Sequence, residues 1–274
     1  MSSYTFREFL IKSPSFSFRD GLFYQSDFQK NNSFEKSYLN LRQKEGRVYN
    51  DNIVRMLPIF QGSAYLYSEW KIRKHSAHRL IKYLTKSNPG RILEVGCGNG
   101  WLINYLHQEI PSEYCGIDIN EPELLQAARL SGDTSSLCFV YGNILSGAFD
   151  NLQVDVIILA SVIQYFPDLN TLIKKLLIIL SPKGEIHIID SPFYNENEIE
   201  GAKKRSENYF SDSGIGIEEG YYHHHRLDSL KSFHYKIVYQ PQNLQNKLKR
   251  LFKKDSPFPW IIIRFHHRLL NTDR

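Results

Sequence analysis

The 274-residue sequence has few of the features that mark membrane-spanning, secreted or zinc-binding chains. It contains three cysteines and no C-x-x-C pair, so neither a zinc ribbon nor a disulfide framework is predicted. Its longest apolar runs, around Val156 to Ile163 and Leu176 to Leu180, are much shorter than the ~18–20 residues needed to span a bilayer. No apolar stretch of the signal-peptide kind follows the N-terminal residues, and we therefore expect a cytoplasmic protein.

The strongest pattern that is present lies at residues 91–101. A short apolar run contains Glu94, glycines follow at Gly96, Gly98 and Gly100, and an amphipathic segment begins directly after them. This order predicts a strand, a tight turn and a helix. Glycines allow positive φ and a close approach of a ligand to the backbone, and the helix directs free N–H groups into the turn. We predict a nucleotide-binding site there.

Further apolar runs repeat the alternation of strand and helix along the chain. Four of them end at or near Asp118, Asn143, Ala160 and Asp190. Such alternation predicts an α/β fold with a Rossmann-like, seven-stranded, mostly parallel sheet and helices on both faces. Two late runs, Tyr235–Tyr239 and Trp260–Phe265, are expected to complete that sheet. Ligands of such sheets bind at the carboxyl ends of the strands, where these polar residues lie.

The glycine spacing separates two nucleotide classes. The dinucleotide pattern is G-x-G-x-x-G, and its third glycine position is Trp101 here. The stretch Glu94 to Gly100 resembles the first motif of class I S-adenosylmethionine-dependent methyltransferases. The resemblance implies that Asp118 accepts the ribose hydroxyls and that Asn143 and Ile144 border the adenine. The implied cofactor-binding set is Glu94, Gly96, Gly98, Asn99, Gly100, Asp118, Ile119, Asn143, Ile144, Ala160 and Ser161.

Charge is distributed unevenly along the chain. Residues 1–90, 91–190 and 191–274 carry net charges of +8, −7 and +4. An acidic centre suits a cationic sulfonium cofactor, and a basic surround suits an anionic acceptor. The alternative interpretation is an ordinary solvated surface with scattered lysines.

Two additions flank the predicted core. We divide the chain into an N-terminal extension at 1–88, with a hairpin around Asp20-Gly21 and a helical cap, and a methyltransferase domain at 89–274. Helices are predicted at 32–44 and 68–86. By the resemblance, Tyr67, Trp70 or Arg73 could close the cofactor pocket, although packing roles are the more common ones for such residues.

A polar insertion at about 191–222, helical near 198–209, is expected to form a lid over the acceptor. Directly after it, His224 and His225 are candidate general bases, because histidine accepts a proton near neutral pH. Tyr165 is a third candidate, at a place that histidine often holds in the family. Adjacent histidines point apart in regular structure, so no metal site is predicted.

A basic amphipathic helix is predicted near the C-terminus, with Leu244 and Leu248 on its apolar face. We expect this face to pack on the sheet, although an anionic membrane or nucleic acid could also bind such a helix.

The resemblance, together with these patterns, implies a methyltransferase that uses S-adenosylmethionine and an anionic or polar small-molecule acceptor. An RNA or protein acceptor is the first alternative, since the flanks are basic although no nucleic-acid module is recognisable. An NAD-dependent reductase or a non-catalytic nucleotide-binding protein is an alternative of another class.

Overall fold

The computed structural model describes residues 4–132, 134–213, 222–252 and 255–265. Its strands are β1 (Phe16–Arg19), β2 (Leu22–Gln25), β3 (Arg91–Val95), β4 (Glu113–Asp118), β5 (Leu137–Tyr141), β6 (Val154–Ala160), β7 (Leu180–Ile189), β8 (His234–Tyr239) and β9 (Trp260–Arg264). Its α-helices are α1 (Phe6–Lys12), α2 (Asn32–Lys44), α3 (Asp51–Met56), α4 (Ala64–Ser87), α5 (Trp101–Glu109), α6 (Glu121–Ser131), α7 (Leu169–Ile178), α8 (Glu196–Ser213) and α9 (Leu244–Phe252).

The strands form one sheet in the order β1-β2-β5-β4-β3-β6-β7-β9-β8. Strands β5, β4, β3, β6 and β7 are mutually parallel, and β9 is antiparallel to both of its neighbours. The order reverses at β3, since β4 lies on one side of it and β6 on the other. In an open parallel sheet this is the point at which ligands bind, beyond the carboxyl ends of the strands.

The sheet is covered on both faces, as its long apolar strands require. Alternate residues of β3 enter different cores: Leu93 and Val95 pack with α1 and α7, whereas Ile92 packs with α4, α5 and α6. The three cysteines are free thiols buried in these two cores, where they act as small apolar residues. The expected α/β fold with helices on both faces is confirmed.

Within the described residues the sheet has nine strands rather than the predicted seven. The hairpin predicted around Asp20 and Gly21 is present, and its second strand joins the sheet in parallel with β5, where Phe23 faces Val140. Both turn residues have positive φ, which suits the tight connection. The sequence pattern marked the hairpin itself but held no signal for a partner strand so far along the chain.

The helix before the glycine turn is longer than predicted. It begins at Ala64, because the Ser63 hydroxyl caps it by accepting the Leu66 N–H at 3.4 Å. It ends where Asn88 takes a left-handed conformation with φ of 47°. Helix α8 likewise exceeds the predicted 198–209 at both ends.

The predicted apolar face of α9 is exposed at the two residues whose side chains the structure describes. Leu244 and Leu248 are 71% and 53% exposed, so the expectation that this face packs on the sheet is wrong at these two residues. Within the part of the chain that the structure describes, every helix is too short or too polar to cross a bilayer.

Candidate active site at the carboxyl ends of the strands

The glycine turn follows β3 and leads into α5. Gly96, Gly98 and Gly100 all have positive φ, at 74°, 52° and 72°. A Cβ atom on Gly96 would lie 2.2 Å from a methyl carbon of Val162, which is closer than any real contact allows. The backbone N–H groups of Gly96 and Cys97 both donate to the Ile117 carbonyl, which ties the turn to β4. The turn therefore requires glycine for its conformation and for space.

Glu94 is a buried acid beside this turn. Its residue is 3% exposed, and among the described residues its Oε2 atom has no hydrogen-bond partner. Burial raises the pKa of this carboxyl well above its usual range, and the nearby charge of Asp118 raises it further. An orphaned, buried carboxylate oxygen is costly unless a donor or a cation reaches it. Glu94 therefore suits a ligand that carries a positive or hydrogen-bond-donating group.

Asp118 ends β4 and holds the turn from the other side. One of its oxygens accepts the Gly98 N–H at 2.7 Å, and the other accepts the Asn120 N–H at 2.8 Å. Burial raises its pKa, and these backbone donors pull it back down. Each carboxylate oxygen keeps further acceptor capacity for hydroxyl groups of a ligand. The next residue, Ile119, is 39% exposed and lines the cavity between the ends of β4 and β5.

The turn after β5 is joined to the N-terminal hairpin. The Asn143 N–H donates to Oε1 of Gln25 at 2.8 Å, and the Asn143 side-chain oxygen accepts the Leu145 N–H at 3.0 Å. Ile144 is buried at 3% exposure and lines the hollow between the strand ends. The hairpin therefore helps to fix the turn that the resemblance assigns to the adenine.

The end of β6 supplies a third set of polar groups. Ser161 has a φ of 54°, and its hydroxyl donates to the Asp190 carbonyl at 2.9 Å, which joins the ends of β6 and β7. The Gln164 side-chain amide donates to the Ser161 carbonyl at 2.7 Å, whereas its Oε1 is buried without a partner among the described residues. Ala160 lines the glycine turn beside them.

Three adjoining cavities open from these groups. The strand-end cavity, of about 430 Å³, contains the ends of β4 and β5 and is lined by Asp118, Ile119, Asn143, Ile144, Glu35 and His223 among others. The glycine-turn cavity, of about 140 Å³, is lined by Glu94, Asn99, Glu123, Trp70, Arg73 and Ala160 among others. The tyrosine cavity, of about 370 Å³, is lined by Tyr65, Tyr194, Tyr209, Tyr222, Arg47 and Arg205 among others. Tyr38 and Tyr165 line all three.

The structure places ten of the eleven predicted cofactor residues on the glycine-turn or strand-end cavity, whereas Gly100 lies in the turn but lines neither cavity, and it separates the three catalytic candidates. Tyr165 lies where the cavities meet, and burial raises its pKa. His225 is buried with its Nε2 2.8 Å from the Ile163 carbonyl, and His224 contacts the Ser206 hydroxyl at 2.9 Å. Neither histidine lines any of the three cavities, whereas His223 lines the strand-end cavity. Burial lowers the pKa of His224 and of His225.

Several lining residues were missed by the sequence interpretation. Tyr38 and Arg42 occupy one face of α2 at a spacing of four residues, which was the signal that could have marked them. Glu123, in the first turn of α6, lies beside Gly98, and burial raises its pKa to about 7. Of the three residues suggested to close the pocket, Trp70 and Arg73 line the glycine-turn cavity, whereas Tyr67 is 52% exposed and lines none of the three.

The fold and the glycine turn define the class of this domain. Residues 93–188 match the family model described as methyltransferase domain, and the match runs from β3 to β7. Over these residues the chain is similar to methyltransferase domains, in agreement with the resemblance to class I S-adenosylmethionine-dependent methyltransferases.

Individual relatives agree on the class and differ in detail. The chain is 29% identical over 119 residues to malonyl-[acyl-carrier protein] O-methyltransferase of Priestia megaterium, which is 42% of this chain and 43% of that protein. The structure is similar to that of magnesium protoporphyrin IX methyltransferase from Synechocystis PCC 6803 with bound SAH, with a TM-score of 0.55, 14% identity and coverage of 85% and 100% of the two chains. The plantazolicin methyltransferase BpumL, in complex with a triazolic desmethylPZN analog and SAH, has a TM-score of 0.50, 19% identity and coverage of 86% and 92%. The chain thus spans less than half the length of the curated relative.

Proposed function

We propose that the chain is an S-adenosylmethionine-dependent methyltransferase that acts on an anionic or polar small molecule. The observation that carries this proposal is the set of polar groups at the carboxyl ends of adjacent parallel strands. Glu94, Asp118 and Asn143 lie on cavities that adjoin one another at Tyr165. An adjoining cavity of about 370 Å³ is also lined by that tyrosine. Such a pair of spaces can hold a methyl donor and an acceptor side by side.

The residues of the site fit the cofactor group by group. The orphaned Oε2 of Glu94 suits a cationic or ammonium-bearing part, and Asp118 retains acceptor capacity for ribose hydroxyls. Ile144 offers an apolar wall beside Asn143 for a flat base. Two structural relatives were solved with bound SAH, the product of the same cofactor. When bound, S-adenosylmethionine supplies an activated methyl group on a sulfonium.

The residues of the chain would act mainly by position. Transfer of an activated methyl group needs the acceptor atom held in line with it, and good alignment alone is worth effective molarities of about 10⁵–10⁸ M. Tyr165 and Tyr38 stand at the junction of the three cavities, so they would separate the donor from the body of the acceptor. Helix α8 covers the tyrosine cavity through Ala202, Ser206 and Phe210, which supports the lid proposed for this insertion.

The size of the tyrosine cavity favours a small acceptor over a macromolecule. Pockets for small ligands generally measure about 300–1,000 Å³, and this cavity lies at the lower end of that range. An RNA or protein acceptor would instead need an open, extended surface beside the methyl donor. One relative is a malonyl-[acyl-carrier protein] O-methyltransferase and another a magnesium protoporphyrin IX methyltransferase, so an acceptor carried by a protein is the alternative.

Two measurements test the proposal. Calorimetry with S-adenosylmethionine and with NADH should give binding of the first and none of the second, since Trp101 and Glu94 depart from the dinucleotide pattern. Incubation with isotopically labelled methyl donor and fractionated cell extract should then place label in the low-mass fraction. Label in RNA or protein would replace the small-molecule acceptor, and absent binding of S-adenosylmethionine would refute the proposal itself.

A further inference from the structure

The tyrosine cavity has an aromatic wall that runs without a break. Edge-to-face contacts join Tyr38 to Tyr165 at 5.8 Å, Tyr165 to Tyr222 at 6.2 Å and Tyr222 to Phe210 at 5.7 Å between ring centroids. Tyr209 continues the series from Phe210 at 5.5 Å. Aromatic rings hold flat unsaturated ligands through stacked and edge-on contacts while their hydroxyl groups meet polar substituents. The wall therefore suits a planar, aromatic body.

The charges around this wall are predominantly positive. Among the described residues that line the cavity, three are arginines and one, Glu45, is a carboxylate. Arg47 is already engaged, since it forms a two-pronged ion pair with Glu69 at 2.6 and 2.9 Å and lies 3.1 Å from Glu45. Arg205 is exposed at the rim. Arg42 remains as the interior cation.

Arg42 forms no close ion pair with the residues that the structure describes. Its nearest carboxylate oxygen, on Glu45, lies 3.9 Å away, and its buried Nε has no hydrogen-bond partner among the described residues. The side chain is 22% exposed and lines both the tyrosine cavity and the glycine-turn cavity. Its guanidinium carbon lies 5.7 Å from the centroid of the Tyr38 ring, a contact that leaves the Nε donor without a partner. A planar guanidinium with an available donor is the preferred partner of a carboxylate. An anion held by Arg42 would therefore lie next to the expected position of the methyl donor.

The same cavity offers no evident proton acceptor. In the described part of its lining there is no histidine, lysine or cysteine, and Glu45 is held by Arg47 and by the Tyr209 hydroxyl. Burial raises the pKa of Tyr165 and, to about 12, that of Tyr222, so both stay protonated at neutral pH. Alcohols and protonated amines must lose a proton during methylation. A carboxylate needs no such step.

We infer that the methyl acceptor is an aromatic or otherwise planar carboxylic acid, bound along the tyrosine wall, with its carboxylate held by Arg42 and methylated to the ester. This inference rests on the proposed function. A carboxylate oxygen forms the bond to the methyl carbon as the carbon–sulfur bond breaks, and the bonding electron pair stays on sulfur. The anion and the sulfonium cation both become neutral, and no proton is transferred. Arg42 is a binding residue for the carboxylate in this scheme.

The first test compares acids with their amides on the full chain loaded with S-adenosylhomocysteine. Benzoate, cinnamate and indole-3-acetate, with their matched amides as neutral isosteres, are titrated by calorimetry. We expect at least one acid to bind and to exceed its amide by about 10- to 150-fold, the range for one charge-assisted contact. Arg42→Gln should remove that preference, Arg42→Lys should restore part of it, and Lys36→Ala, an exposed change on the same helix, should leave it unchanged.

The second test asks what bond the transferred methyl group makes. Labelled small-molecule product from cell extract is treated with mild alkali, which releases methanol from methyl esters but leaves ethers and methylamines intact. Alkali-labile label supports the inference. Stable label, or equal binding of acids and amides with S-adenosylmethionine still bound, overturns it and leaves the proposed function standing. Failure to bind S-adenosylmethionine would overturn the proposed function instead. An unchanged melting temperature and cofactor affinity identify Arg42→Gln as correctly folded.

Discussion

The strand-end cavity and the tyrosine cavity differ in their charge and in the elements that build them. The first is bordered by the acids Glu35 and Asp118 and is formed largely by turns that end parallel strands. The second carries three arginines and is formed largely by side chains of α2 and α8. The backbone of the sheet thus shapes the proposed donor side, whereas the flanking helices shape the proposed acceptor side. Changes in one side should therefore leave the other largely intact.

Removal of α8 should have the largest effect, because it should abolish methyl transfer while leaving cofactor binding largely unchanged. Replacement of residues 198–213 by a short glycine-serine linker removes Ala202, Ser206 and Phe210 from the tyrosine cavity. We expect methyl transfer to fall by more than about 1,000-fold, because alignment of the acceptor is worth effective molarities of about 10⁵–10⁸ M. Cofactor affinity by calorimetry should stay within about threefold, or about 0.7 kcal/mol. Lys203→Ala, an exposed change on α8, is the control, and surviving turnover would mean that the acceptor is held elsewhere.

Gly96→Ala should damage the donor side alone. The added Cβ would lie 2.2 Å from Val162, and the positive φ adds strain. We expect cofactor affinity to fall by more than about 100-fold, or about 2.7 kcal/mol, as the turn shifts. Gly132→Ala is the matched control, because its φ is 72° but no atom lies within 4 Å of the added carbon. Equal loss in both variants would indicate that backbone strain, not crowding at the turn, is responsible.

Asp118→Ala should weaken the donor side by less. The variant loses the proposed ribose contacts and the bond that the Gly98 N–H donates to Asp118 at 2.7 Å. Calorimetry should record a decrease in S-adenosylmethionine affinity of about 10- to 150-fold, the equivalent of one charge-assisted hydrogen bond. Asp228→Asn, which changes an exposed carboxylate remote from the three cavities, should have no effect. Unchanged affinity in Asp118→Ala would remove the ribose role of this residue.

We expect the smallest effect at Glu123. Its ionisation should make the binding of the cationic methyl donor depend on pH more strongly than the binding of the neutral product. Burial raises its pKa to about 7, with the charge of Asp118 adding and that of Arg42 opposing. As pH rises from about 6 to about 8 the carboxyl ionises, so the cationic donor should bind a few-fold more tightly while neutral S-adenosylhomocysteine changes less. Glu123→Gln should abolish this difference. A difference that persists in the variant would assign the titration to another group.

The same shift has a consequence for stability with a definite sign. The folded-state pKa of Glu123 lies above the ordinary value of 4.5, so the folded chain holds the proton more firmly than the unfolded chain does. Its contribution to stability is therefore fully present below pH 4.5 and is lost as pH rises through about 7. Thermal melts of the Glu123→Gln variant should lack this component.

The comparison also separates what the sequence could predict from what it could not. The parallel strands, the glycine turn and the carboxylates at the strand ends were predictable, because each depends on a short local pattern. Glu94 and Asp118 were assigned to the cofactor site on that basis, and the structure brings both to the glycine turn. Their roles remain predictions until binding is measured.

The acceptor side depends on contacts between distant segments, which no local pattern records. Tyr38, Arg42 and Tyr222 meet because α2 and the segment after α8 approach Tyr165 from opposite ends of the chain. His224 and His225 were candidates on residue type alone, and the turn of the chain directs them to Ser206 and to the Ile163 carbonyl. The pairing of β2 with β5 was missed for the same reason.

That pairing has a consequence for the order in which the molecule can be completed during synthesis. The N-terminal hairpin leaves the ribosome first, yet its second strand pairs with β5, and Gln25 holds the Asn143 N–H at 2.8 Å. Contacts between residues so far apart in sequence form late, because a long loop must close before they contribute. In a nascent chain the turn after β5, which is the proposed adenine site, would therefore lack the Gln25 contact until β2 pairs with β5. Binding of the methyl donor is therefore expected only after β5 has been synthesised and has paired with β2.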